Sequence, residues 1–211
     1  MTIAEYFKWL KKEWAKVGFI LSIFLLVILL TTIRKYDYVL FILLLQAPLY
    51  MLHQTEEYVF PGGFGRFFTT QIFKFKTEDG PIGENLVFWV NVMLTWIAFP
   101  VFALLSTINP AYGLWMPYFV FFAGVGHIGL AIKAKKLYNP GLVVSLLVNI
   151  PLGFWSILSL VRVGELNNFF WNPYCLIGFG LNAMLPVAGV FMYRDYVKKE
   201  NATSPDSTGR S

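Results

Sequence analysis

An all-α bundle of about six membrane spans, led by an amphipathic interfacial helix, is the fold class this sequence predicts. Three observations predict it. Of 211 residues, 57% are hydrophobic and only 14% are charged, whereas a soluble domain carries roughly a quarter charged residues. The mean hydropathy is +0.59. The apolar residues also come in long runs, most of them near the ~20 residues a bilayer requires, rather than at the spacing of a half-buried strand or helix.

The elements follow in chain order. In residues 1–17, Tyr6, Phe7, Leu10 and Trp14 share one helical face, with Lys8, Lys11, Lys12 and Lys16 mostly off it. That is the pattern of a helix resting in the membrane interface. A signal peptide is the competing reading, but no A-x-A-like site follows the apolar run. The spans fall at 17–33, 38–57, 84–106, 112–132, 141–161 and 173–193, which makes 18–195 the bundle and 196–211 a polar tail of disordered composition. Pro100, Pro117, Pro151 and Pro186 lie inside these spans and predict kinks where neighbours satisfy the freed carbonyls. No internal repeat is evident.

Charge placement sets the orientation. Fourteen of the seventeen lysines and arginines lie on one side: the four leader lysines, Arg66, Lys74, Lys76, Lys133, Lys135, Lys136, Arg194, Lys198, Lys199 and Arg210. Only Arg34, Lys35 and Arg162 lie on the other. The positive-inside bias predicts both termini in the cytoplasm, and the size and simplicity of the chain suggest a bacterial plasma membrane. The net charge of +5 is spread between apolar segments, which suits anionic lipid headgroups and argues against nucleic acid. The single cysteine, Cys175, excludes a disulfide framework and reads as a small buried hydrophobe.

The rare polar residues gather at the cytoplasmic level. His53, Glu56 and Glu57 stand at i, i+3 and i+4 in the run H-Q-T-E-E at the end of the second span and can project from one helical face. Glu84 and Asn85 begin the third span; Asn91 is deeper in it. His127, the only other histidine, lies near the cytoplasmic end of the fourth, and Asn149 and Asn182 lie in the fifth and sixth. Ionisable groups inside a membrane are costly and mark function by default. Imidazoles and carboxylates from neighbouring helices are how bundles hold zinc or iron. The zincin spacing H-E-x-x-H and its inverse H-x-x-E-H place ligands at i and i+4, the positions of His53 and Glu57. Two arrangements remain open: one metal on His53, Glu57 and His127 with Glu56 as base, or two metals on Glu56 and Glu57 with Glu84 bridging. Each residue also has a plainer reading. Glu56 could pair with Arg66, Glu84 could answer a helix dipole, His127 could be a core histidine, and Asn91, Asn149 and Asn182 could be interhelical hydrogen-bonding groups.

The second loop, YVFPGGFGRFFTTQIFKFKTEDGPIG, is long for a structureless connection. Phe64, Phe67, Phe68, Ile72, Phe73 and Phe75 make it too apolar for free solution, so it is expected on or within the membrane near the glutamates, as a lid, a lipid gate or a resting connector. The lysines of IKAKKLYNPG in the fourth loop are accounted for by topology.

The run His53-Gln-Thr-Glu56-Glu57, followed by Tyr58-Val-Phe-Pro61-Gly62-Gly63-Phe64, resembles the HXXEE-motif membrane proteins, as do Gly126-His127 and Tyr138-Asn139-Pro140-Gly141-Leu142. The likeness covers about residues 38–195. It implies that His53, Glu56, Glu57 and His127 are hallmarks and supports a site more than any reaction. Prenyl-protein-type intramembrane proteases also use paired glutamates and separate histidines, in the pattern E-E-x-x-x-R and F-x-x-x-H. Here Pro61 stands where the arginine should be and Ala123 where the phenylalanine should be, so only the chemical analogy survives.

The expected function is a membrane-embedded enzyme acting on a lipid or lipidated substrate, with a divalent metal, zinc or iron, activating water, or with a glutamate as base in a metal-free form. Hydrolysis comes first. A histidine-rich di-iron hydroxylase is excluded by the two histidines. A transporter using the same cluster for protons or cations is the runner-up, and a structural or immunity-type partner of another membrane protein is the third reading.

Overall fold

The computed structural model describes residues 1–75 and 81–203. Six of its helices are long and apolar enough to cross a membrane, as the composition predicts, and no strand occurs among the described residues. They are α1 (Ile3–Tyr36), α2 (Tyr38–Tyr58), α4 (Glu84–Leu105), α5 (Met116–Ala134), α6 (Leu142–Arg162) and α7 (Pro173–Thr203). A short α3 (Phe64–Phe67), extended by a π-helical turn over Phe68–Ile72, lies in the second loop.

α1 is helical from Ile3, so the basic leader and the first span are one continuous helix. Thr2 and Glu5 start it with a reciprocal capping box, satisfying two otherwise orphaned donors. At the other end α7 continues past residue 195 to Thr203; residues 204–211 lie outside the described residues.

α2 is the hub. It packs on α1, α4, α5 and α6, and nearly every residue from Phe41 to Glu57 is buried. α1 and α7 are the most exposed spans, as befits helices that face lipid. Between apolar helices in lipid there is little hydrophobic drive, so close van der Waals approach does the work. Glycines permit it. A Cβ on Gly124 would lie 2.7 Å from Ile150 of α6, and one on Gly178 would lie 2.7 Å from the Trp115 carbonyl at the head of α5.

The prolines act in different ways. Pro100 and Pro151 each sit two residues past the end of a π-helical segment, Met93–Ala98 and Ser145–Asn149, where the widened turn absorbs the missing N–H. Pro117 stands in the first turn of α5, a position that loses no hydrogen bond. Pro48 and Pro186 are the ones inside regular helix.

Candidate functional site

The second half of the H-Q-T-E-E helix and the end of α5 meet at the end of the bundle where most lysines lie. His53 and Glu57, one turn apart on α2, bring His53 Nε2 within 3.5 Å of Glu57 Oε1. His127 of α5 brings its own Nε2 within 3.3 Å of the same oxygen. The imidazole rings stand edge to face, 4.6 Å between centroids. All three residues are at most 5% exposed. Among the described residues this is the only trio of potential ligands so assembled, its donor atoms all within 4.8 Å of one another.

Surrounding groups fix the direction of each ring. The Asn139 amide donates from Nδ2 to the His127 carbonyl at 2.9 Å. Its Oδ1 therefore faces His127 Nδ1, 2.6 Å away, and since an amide oxygen only accepts, Nδ1 carries the proton. His127 thus turns its Nε2 toward Glu57. On the other ring, Ser145 Oγ lies 3.4 Å from His53 Nδ1, again leaving Nε2 toward Glu57. A hydrogen-bonded outer nitrogen and an inward Nε2 are the usual dress of metal-bound histidine. Tyr50 packs on His53 at 5.3 Å and Phe64 on His127 at 5.5 Å. Gly141, at φ +99°, closes the floor: a Cβ there would sit 2.5 Å from His127 Cε1 and 2.9 Å from His53 Cε1. Asn139, Ser145 and Gly141 were not singled out as site residues by the sequence reading. The Tyr138–Leu142 stretch pointed at two of them through the family likeness alone.

Three electron-pair donors at this spacing repel one another unless a proton or a cation lies between them. The spacing suits a cation. Ligands ~2.0–2.1 Å from zinc stand about 3.3 Å apart along the edge of a tetrahedron, close to the 3.3 and 3.5 Å found here. Two histidines and one carboxylate serve catalytic zinc, with an open position for water, and also non-haem iron(II).

The other polar residues fall elsewhere. Glu56 is turned from the trio: its Oε1 accepts from the Val143 N–H at 3.1 Å and the Tyr138 hydroxyl at 3.0 Å, its Oε2 from the Val144 N–H at 2.6 Å. It caps the start of α6. Tyr138, in the loop outside the spans, has its hydroxyl pKa pushed up to about 12 by burial first and then by the Glu56 carboxylate. The role of base expected for Glu56 is thus not supported by its contacts. Glu84 stands exposed at the first position of α4, outside the trio, where it answers the helix dipole; the two-metal arrangement bridged by Glu84 has no counterpart. Asn85 is also exposed and accepts from Lys11 at 3.0 Å, and Arg66 is exposed on α3. Asn91 accepts from Gln54 at 2.9 Å and, like Asn182, lines a cavity beside the trio. Asn149 is fully buried in α6 with neither amide atom paired.

That cavity, about 530 Å³, is walled mainly by apolar side chains of α2, α3, α4, α5 and α7, with His53, Glu57 and His127 on its wall. The second loop closes one end. α3 sets Phe64 and Phe68 on the cavity; Phe73 stacks on Tyr193 at 3.8 Å, and Thr69 hydrogen-bonds the Tyr193 hydroxyl. The stretch expected as a membrane-resting lid is helical up to Ile72; Lys76 and its neighbours up to residue 80 lie outside the described residues.

With this geometry in place, comparison with known families gives a match. A family described as "Protein of unknown function with HXXEE motif" matches residues 44–156, more than half of the chain, including all three members of the trio. No curated protein and no solved structure is significantly similar.

Proposed function

The chain belongs to the HXXEE-motif family, and we propose that it is a membrane-embedded, metal-dependent enzyme acting on a lipid or lipidated substrate at the cytoplasmic interface. Hydrolysis is the first reaction assigned. The observation that carries this reading is the convergence of two inward Nε2 atoms and one carboxylate oxygen on the wall of an apolar cavity. A zinc or iron ion on His53, Glu57 and His127 would lower the pKa of a bound water toward neutrality. The apolar wall would hold hydrocarbon, and the surrounding protein would exclude competing water. The lysine bias supports a cytoplasmic position for this end of the bundle. In a metal-free form Glu57 would be the base, since Glu56 is engaged by the α6 terminus.

One observation favours the second reading, a transporter for protons or cations. Buried polar groups continue around α6 away from the trio. Gln46 donates to Ser156 at 3.0 Å with its Oε1 unpaired, and Asn149 is unpaired altogether, so bridging water is expected along this seam.

The two readings separate in one experiment. Purified protein, loaded with zinc or iron(II), is incubated with a total polar lipid extract and the lipids are followed by mass spectrometry. The enzyme reading predicts depletion of one lipid class by the wild type and by Glu56→Gln, and none by Glu57→Gln. Absence of any turnover by metal-loaded wild type, with proton or cation flux in proteoliposomes, would replace it with transport.

A further inference from the structure

The cavity beside the trio has a shape that selects its occupant. We propose that it holds a single-chain anionic amphiphile, which arrives sideways from the bilayer between α4 and α7. The inference rests on the lipid-enzyme reading and deepens it by naming the substrate class and its route.

The route follows from which helices touch. α4 lines the cavity with Leu86, Val87 and Val90, and α7 lines the facing side with Leu185, Ala188 and Met192. α4 packs on α1 and α7 packs on α5, while no extensive packing joins α4 to α7 among the described residues. Toward the basic end the gap is shut by α3 and the aromatic residues after it, through Phe68, Phe73 and Tyr193. The side left between α4 and α7 is bordered by helices whose exposed faces are apolar, which is where we place the entry. A hydrocarbon chain can pass there without meeting water.

The size follows from depth and volume. From Lys133 to Ala123 the cavity runs along ten residues of α5, about 15 Å at 1.5 Å per residue. That is half of a ~30 Å hydrocarbon core, the reach of one leaflet. A cavity of about 530 Å³ lies within the ~300–1,000 Å³ range of pockets that hold one small ligand, a size that matches one hydrocarbon chain better than two. The wall is smoothed for a chain by Gly126, Gly129 and Gly189.

The charge follows from Lys133. Among the described lining residues it is the one with a fixed positive charge, exposed at the basic end of α5, less than two turns above His127. An anionic headgroup paired there would leave the bond next to it beside the trio, with the chain running down toward Ala123 and Asn182.

The test measures binding and metal separately. Detergent-purified protein is titrated by native mass spectrometry with lysophosphatidylglycerol, dioleoylphosphatidylglycerol and lysophosphatidylcholine, and metal content is read on the same samples. The expected result is one lysophosphatidylglycerol per chain, bound at least tenfold more tightly than either comparison lipid. Lys133→Ala should abolish the preference over lysophosphatidylcholine. Gly126→Phe and Gly129→Phe, whose added Cβ atoms meet nothing closer than 4.0 Å, should weaken binding at least tenfold while metal content stays at the wild-type level, which also certifies the fold. Glu57→Gln should lose metal and keep lipid. Equal binding of the two-chain lipid, or full binding by both phenylalanine variants, would overturn the proposal while leaving the metal reading untouched. Loss of metal reading with lipid binding intact would do the reverse.

Discussion

Two neighbouring glutamates of one helix turn have opposite fates. Glu57 faces α5 and the cavity, where its carboxylate meets two imidazoles. Glu56, about 100° further round the helix, faces α6 and is consumed by two backbone N–H groups and a tyrosine hydroxyl. Both are buried, both are acidic, and both belong to the motif. The difference teaches that a buried carboxylate is read from what answers it. Backbone donors and a helix terminus make Glu56 a clamp between α2 and α6. Two imidazole nitrogens converging on its carboxylate put Glu57 in a group that could hold a metal ion.

The largest expected effect is at Gly141, which lies under both imidazoles. Gly141→Ala must place a Cβ 2.5 Å from His127 and 2.9 Å from His53 at φ +99°, a backbone region that costs an alanine about 1–3 kcal/mol. We expect metal affinity to fall by more than a hundredfold, read by competition with a chelator, along with a lower Tm. Asn139→Ala removes the group that orients His127 and leaves the Glu56 side untouched. Loss of an outer-shell partner costs roughly 10–100-fold in metal affinity, and Asn139→Asp, which still accepts from Nδ1, should recover part of it.

On the other side, Glu56→Gln keeps the shape and loses the charge. Charge-assisted bonds contribute about 1.5–3 kcal/mol, so thermal or denaturant unfolding should show a loss of about 2 kcal/mol, with metal content unchanged. The smallest effect is alkaline. The fold raises the Tyr138 pKa from 10 to about 12, favouring the neutral phenol. That contribution is complete below pH 10 and is lost as pH rises toward 12. The wild-type Tm should therefore fall more steeply over this window than that of Tyr138→Phe.

Much of this was legible in the sequence, because the relevant physics is local. Six apolar runs of bilayer length became six helices, since a backbone in lipid has few other options. The i, i+4 spacing of His53 and Glu57 set their contact, and counting spans put His127 at their level. What was hidden depends on neighbours. Positions 56 and 57 are equally acidic in the sequence, and only the place of α6 decides which one it captures. Glu84 sits at the right membrane depth but at an exposed helix start. Asn139 is buried at 0% exposure inside a loop, although its Asn-Pro-Gly context signals only a turn. The continuity of the leader with α1 was likewise hidden, because an amphipathic face and an apolar run in succession carry no mark of a break or of its absence.

On the proposed reading, Glu57 and the two histidines hold a metal and Glu56 does not. Elemental analysis of purified wild type, Glu57→Gln and Glu56→Gln, each reconstituted with zinc and with iron(II), tests it most directly. One ion per chain is expected in the wild type and in Glu56→Gln, and none in a folded Glu57→Gln. An empty wild type after reconstitution, or an equal metal content in Glu57→Gln, would contradict it.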